Sequence, residues 1–187
     1  IGLASSSKIR RDIISNYDVD AILCDPEINE EKLKQDNFNL NSRSLAVFLA
    51  KSKALSLADK FSEKFILGCD QICIFNDMIM SKPLNEGKAI SNLKELSGNT
   101  HNLFGAYCVT KGNEIIIEHQ IECEMEMRNL NDNEIEEYVA LDKPLESCGS
   151  YKFEANGFKL FKSVIGSLEA INGLPFADLK ELIDAKL

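Results

Sequence analysis

Residues 65–75 read Phe-Ile-Leu-Gly-Cys-Asp-Gln-Ile-Cys-Ile-Phe, an apolar run with an acid at its centre. Its length and composition suit buried strand. Asp70 then faces two choices: it sits at a strand end or break, or it enters a sheet interior. A carboxylate in an interior is costly unless it is paired, hydrogen-bonded or metal-bound. The pattern predicts strand over 65–68 and 72–75, broken in the middle by Asp70. Asp70 is the leading candidate for a functional acid, either as general base toward water or as an oxygen ligand of Mg²⁺. A plain turn cap between two short strands is the competing reading.

The flanking segments alternate between strand and helix signals. Residues 1–4 predict a short apolar strand, and 8–16 a helix with Ile9, Ile13 and Ile14 as its stripe. Residues 45–61 predict a long amphipathic helix on Leu45, Phe48, Leu49, Ser52, Leu55 and Ala58. Asn76-Asp77 predicts a hairpin turn into 78–80. Asn85 predicts the start of a helix that ends at Ser97-Gly98-Asn99. Strands are predicted over 107–110 and 114–127 around Lys111-Gly112-Asn113, the second alternating wet Glu122, Glu124 and Glu126 with Cys123, Met125 and Met127. Asn131 and Glu134 predict a capping box for a helix over 132–141. A short strand is predicted over 158–161 and a helix over 176–187. The expected class is α/β with a mixed sheet, folded as a single domain over residues 1–187.

The 187 residues carry 30 acids against 21 bases, a net charge of −9. That argues against a nucleic-acid partner, which needs a basic face, and against an anionic membrane surface. It leaves room for a small anionic substrate in a local basic pocket. No apolar run approaches the ~20 residues that cross a bilayer. The opening lacks a basic leader, and the scattered cysteines point to the cytoplasm as the expected compartment. The six cysteines form no CxxC pair and are expected to be reduced core residues.

Ser5-Ser6-Ser7 precedes the first helix. Hydroxyls and free N–H groups at a helix N-terminus suit a phosphate. Arg10 and Arg11 bring guanidinium donors to a position where bases oppose the helix dipole, which points to an anion. The same residues also fit ordinary caps and a solvated face. Lys53 lies on the predicted long helix, and Lys82-Pro83 precedes a helix start. Cys148-Gly149-Ser150-Tyr151-Lys152-Phe153-Glu154 predicts a loop of close approach. His101 and His119 carry no pairing signal and are read as structural.

Together these segments resemble the Maf family of nucleoside triphosphate pyrophosphatases over nearly the whole chain. Residues Leu3 to Arg11 match the family's L-A-S-x-S-P-x-R-R opening. Asn29-Glu30 stands where the family has Asp-Glu. Residues Leu49 to Ala54 match L-A-x-x-K-A. Residues Gly68 to Gln71 match G-x-D-[TQ]. Lys82-Pro83 and Gly173-Leu174-Pro175 match the later K-P and G-L-P. Gln71, Cys73 and the loop from Cys148 to Glu154 are similar to the 7-methyl-GTP subgroup. The chain departs from the pattern at Lys8, where the family has Pro, and at Asn29, where it has Asp. Gly105-Ala106 replaces the usual T-G. Ile9 stands where the subgroup usually has Trp, and the chain has no Trp at all.

The resemblance implies a twisted mixed sheet flanked by helices, Maf/ITPase-like, with two lobes around a cleft and a homodimer as a frequent assembly. It implies hydrolysis of the α–β anhydride of a nucleoside triphosphate, with 7-methyl-GTP as substrate and a divalent cation, Mg²⁺ or Mn²⁺, as cofactor. Asp70 is the implied proton acceptor, with Arg10, Lys53 and Lys82 as charge-neutralising partners. Ser5, Ser7 and Arg11 would bind phosphate, Ile9, Gln71 and Glu154 would face the base, and Glu30 and Asp70 would hold metal. Another purine triphosphate, or a non-catalytic role in cell-division control, are the alternative readings.

Overall fold

The computed structural model describes residues 1–186. In chain order they form β1 (Gly2–Ala4), α1 (Lys8–Ser15), β2 (Ile22–Cys24), α2 (Glu30–Asp36), α3 (Ser42–Leu55), β3 (Phe65–Phe75), β4 (Met78–Met80), α4 (Glu86–Leu96), β5 (Thr100–Lys111), β6 (Glu114–Met127), α5 (Asp132–Asp142), β7 (Phe161–Ile165), α6 (Leu168–Ile171) and α7 (Phe176–Asp184). The strands make one mixed sheet in the order β2-β1-β3-β5-β6-β7, with β4 paired to β3. β1 pairs in parallel with β2 and β3, whereas β4 and β7 pair antiparallel with β3 and β6. The α/β class with a mixed sheet is as the sequence implies.

The chain forms two compact units. The first comprises residues 1–71 and 105–121 and the C-terminal stretch from Leu168; the second comprises 72–104 and 122–167. In the first unit, Leu3 of β1 and Leu67 of β3 share a core with Ile13 and Ile14 of α1 and Phe176, Leu179 and Ile183 of α7. The path β1–α1–β2 leads to one side of β1, and the chain then crosses back to place β3 on the other. The carboxyl ends of β1 and β3 therefore flank a topological switch point, where open α/β sheets bind ligands. Ala4, the last residue of β1, is in register with Gly68 of β3, so the Ser5-Ser6-Ser7 segment and Asp70 both emerge just past that point.

In the second unit, Asn76 and Asp77 adopt positive φ and turn β3 into β4. Asn85 caps α4, and Asn131 with Glu134 closes the capping box of α5. His101 is buried, with Nε2 2.9 Å from the Tyr151 hydroxyl. Burial pulls its imidazole down to about 4.

The structure corrects several expectations. β3 runs unbroken for 11 residues, with Asp70 in its middle, because the acid finds a buried cation instead of a break. α3 ends at Leu55, six residues short of Phe61, and is followed by turns. Its buried face is Ala46, Leu49, Ala50, Lys53 and Ala54 rather than the larger residues beside them. Residues 157–160 form a 3₁₀ turn, and the strand lies after it at Phe161–Ile165. β5 begins at Thr100, and α7 ends at Asp184; the end of the predicted last helix, Leu187, lies outside the described residues. The elements β2, α2 and α6 had no strong periodic signal, being only 3, 7 and 4 residues long.

Candidate active site

The site is built first by a missing side chain. A β-carbon on Gly68 would lie 2.2 Å from the Ala50 carbonyl oxygen and 2.6 Å from the Ala54 nitrogen. Glycine there, facing alanines on α3, lets helix and strand backbones come together. That approach carries Lys53 onto Asp70. The two are 7% and 8% exposed, and Lys53 Nζ donates to Asp70 Oδ1 at 2.7 Å. Asp70 Oδ2 has no hydrogen-bond partner among the described residues. The interior position is tolerable because the charges neutralise one another.

A second carboxylate shares the same ammonium. Lys53 Nζ lies 2.9 Å from Glu30 Oε2, and Lys34 Nζ lies 2.8 Å from Glu30 Oε1. The result is an alternating chain of charges, Lys34–Glu30–Lys53–Asp70. Burial alone would push the Glu30 carboxyl up, but Lys53 and Lys34 together outweigh it and hold the group at about 2. Asn29 explains how Glu30 is placed: its side chain accepts from the Lys32 amide and caps α2. In this chain residue 29 is a helix cap, with Glu30 in the first turn behind it.

The Ser5-Ser6-Ser7 segment sits at the start of α1. Ser7 holds the N-cap position without a side-chain cap bond, and the buried Ser5 hydroxyl accepts from the Ser7 amide at 3.2 Å. The first turn of α1 thus keeps the amide groups that favour an anion. Arg10 Nε donates to the Gly173 carbonyl at 2.9 Å, and Nη1 to the Cys69 carbonyl at 3.1 Å. It has no carboxylate partner among the described residues, so its charge is not locally cancelled. Arg11 is engaged by the Ser5 carbonyl and by Asp25, at 2.7 and 2.5 Å. Ile9 packs half-buried against the core of the first unit. Gln71 Nε2 donates to the Ala170 and Ile171 carbonyls at 2.8 and 3.3 Å.

The first unit therefore brings together Glu30, Lys53 and Asp70, and fastens Arg10 to the residue before Asp70. Lys82 and Glu154 belong to the second unit. There Lys82 is 59% exposed by side chain, 3.6 Å from Glu146, and Glu154 is exposed. The Lys82 segment is tied down by the Leu84 amide, which donates to Leu145 at 3.0 Å. Cys69, Cys73, Cys108 and Cys123 are buried, and burial pushes their thiols up.

Among the described residues no three His, Cys, Asp or Glu side chains gather as a ready-made metal cage. The donor set on offer is the carboxylate pair Glu30 and Asp70. Two carboxylates suit Mg²⁺, which takes its remaining ligands from water and substrate phosphate. Sequence reasoning missed Lys34, although its i,i+4 spacing from Glu30 was a signal. It also missed that Gly173 is a contact point for both Arg10 and Gln71. No described helix is long and apolar enough to cross a membrane.

Residues 1–186 match the family model described as Maf-like protein. A nucleoside triphosphate pyrophosphatase of Legionella pneumophila (strain Philadelphia 1) is 35% identical over 95% of this chain and 88% of its own length. A 7-methyl-GTP pyrophosphatase of Bdellovibrio bacteriovorus is 36% identical over 97% of this chain and 94% of its own. A dTTP/UTP pyrophosphatase of Pyrococcus furiosus is 34% identical over 97% and 93%.

Proposed function

The chain belongs to the Maf-like protein family, and on that premise we propose that it is a nucleoside triphosphate pyrophosphatase. The observation that carries the reading is the buried Lys53–Asp70 pair, with Glu30 on the same ammonium and Arg10 bound to the adjacent Cys69 carbonyl. A water molecule attacks the α-phosphorus. As the O–P bond forms, Asp70 Oδ2 accepts the water proton. The bond from the α-phosphorus to the bridging oxygen breaks, and its electron pair leaves with pyrophosphate. General-base assistance of this kind is worth about 10²–10⁴-fold.

Lys53 orients Asp70 through the 2.7 Å hydrogen bond to Oδ1, and Arg10 offsets charge that grows on the phosphate oxygens. Ser5, Ser7 and the first turn of α1 supply donors to phosphate, with Arg11 behind them. Lys82 is assigned a charge-neutralising role by the family resemblance. A divalent cation, Mg²⁺ or Mn²⁺, held by Glu30 and Asp70 would supply further charge neutralisation and orient the triphosphate.

Within that activity the preferred substrate is 7-methyl-GTP. The support is the Asp70-Gln71-Ile72-Cys73 and Cys148 to Glu154 motifs, together with the name of the Bdellovibrio relative. A carboxylate such as Glu154 accepts guanine's N–H donors and favours a base made cationic by methylation. An unmethylated or pyrimidine triphosphate is the second reading, favoured by the Pyrococcus relative's name and by Ile9 in place of a stacking Trp. The test is pyrophosphate release from a panel of 7-methyl-GTP, GTP, dTTP and UTP with Mg²⁺. A higher kcat/KM for 7-methyl-GTP supports the first reading, and equal or lower values than GTP refute it.

A further inference from the structure

We propose that Asn92 is a positioning residue, which locks the loop from Cys148 to Glu154 onto the segment that carries Lys82; this rests on the pyrophosphatase reading above. Asn92 lies on the buried face of α4 with Ala89, Leu93 and Leu96, and is 1% exposed. Asparagine is a poorer helix former than leucine, and an amide in an apolar interior is costly unless it is hydrogen-bonded. Its place on that face calls for partners. Asn92 Nδ2 donates to the Ser150 hydroxyl oxygen at 2.8 Å and faces the Ser81 carbonyl at 3.5 Å. A carbonyl can only accept, so it dictates which end of the amide is the nitrogen. One side chain thus joins the residue before Lys82 to the middle of the loop.

Ser150 shows how firmly that loop is held. It is buried and has φ +64°, a conformation that strains any residue with a β-carbon. Serine bears the strain there because its hydroxyl accepts the Asn92 bond. Two outer contacts run beside this buried one. The Leu84 amide donates to the Leu145 carbonyl at 3.0 Å, and Lys82 Nζ lies 3.6 Å from Glu146. Beyond Ser150 the loop is fixed again. The Tyr151 hydroxyl lies 2.9 Å from His101 Nε2, and the Lys152 amide donates to the Tyr138 hydroxyl at 2.8 Å. The loop that bears Glu154 and the segment that bears Lys82 therefore share one buried fastening. Base recognition and charge neutralisation are set together.

The test uses Asn92→Leu, similar in size but without a donor, Ser150→Ala, and the two combined. Values of kcat and KM are measured for 7-methyl-GTP, GTP, dTTP and UTP, together with hydrogen exchange of the Leu84 and Ser150 amides. Each single variant is expected to raise KM and to shrink the ratio of kcat/KM between the best and the worst substrate about tenfold, because a displaced Glu154 discriminates less. Both amides are expected to exchange faster in Asn92→Leu than in the wild type. The double variant is expected to lose no more than either single one, since all three lack the same bond. A lower kcat with KM and the ratio unchanged in every variant overturns the proposal, because it marks only a loss of folded enzyme. Losses that add in the double variant overturn it too, as does unchanged exchange at both amides. If the wild-type protein releases pyrophosphate from no triphosphate, the enzymatic reading fails while the exchange result still decides the clamp.

Discussion

The ammonium of Lys53 lies 2.7 Å from the carboxylate of Asp70, and both residues are buried. A pair this deep does not stabilise a fold as well as packed hydrocarbon of the same volume often would. Its presence in the middle of a continuous strand therefore argues for a chemical role. The pair places a carboxylate inside the sheet with one oxygen, Oδ2, free of any hydrogen-bond partner among the described residues.

Removing one partner leaves the other charged in a place that disfavours it. Lys53→Met is expected to destabilise the protein by about 3–5 kcal/mol, the usual result of orphaning a buried charge. Asp70→Asn is expected to be milder, because Glu30 still neutralises Lys53. Combining Lys53→Met with Asp70→Asn should recover most of the loss. Urea unfolding of the four proteins in the cycle measures it. Additive losses would mean that the pair is not energetically coupled.

Gly68 ties the fold to the chemistry. Gly68→Ala forces its new methyl against the backbone of α3 at Ala50 and Ala54. Overpacking of this kind costs about 1–3 kcal/mol, and relief by moving α3 takes Lys53 away from Asp70. Turnover is expected to fall at least tenfold in protein that remains folded. A shift in unfolding midpoint without any change in turnover would separate the helix position from the site.

The pH dependence of stability has two sources with stated signs. Glu30 is held at about 2 against an ordinary 4.5. Its contribution is complete above 4.5 and drains away as pH falls toward 2, because the unfolded chain takes up the proton first. Glu30→Gln is expected to flatten the stability curve in that window.

His101 acts in the same direction at higher pH. Its imidazole is lowered to about 4 by burial, from 6.5. Unfolding lets it take up a proton, so stability declines as pH falls from 6.5 toward 4. His101→Asn is expected to remove that slope, whatever it does to stability at pH 8. Denaturant titrations at half-unit intervals check both windows.

The elements with strong local signals were readable in advance. The Asn131–Glu134 capping box, the Asn76-Asp77 hairpin turn and the Asn85 cap all stand as the residues imply. What failed was long-range. The acid at Asp70 reads locally as a break, because the cation that permits an unbroken strand comes from Lys53, 17 residues away in the chain. The face of α3 was read correctly only at Leu49, because the closest contact with β3 is made by small residues, while hydrophobic periodicity weights large ones. The family resemblance named Glu30, Lys53 and Asp70 as separate candidates, and the fold brings these three together. That Glu30 shares Lys53, and that Gln71 binds α6, depends on distances no spacing encodes.

The role proposed for Asp70 is to drive cleavage between the α- and β-phosphates. The direct measurement is product analysis from one triphosphate, with wild type and Asp70→Asn side by side at equal, verified folding. The wild type is expected to yield nucleoside monophosphate and pyrophosphate in equal amounts, and the variant to turn over about 10²–10⁴-fold more slowly. Release of orthophosphate with nucleoside diphosphate, or wild-type turnover in Asp70→Asn, would contradict it.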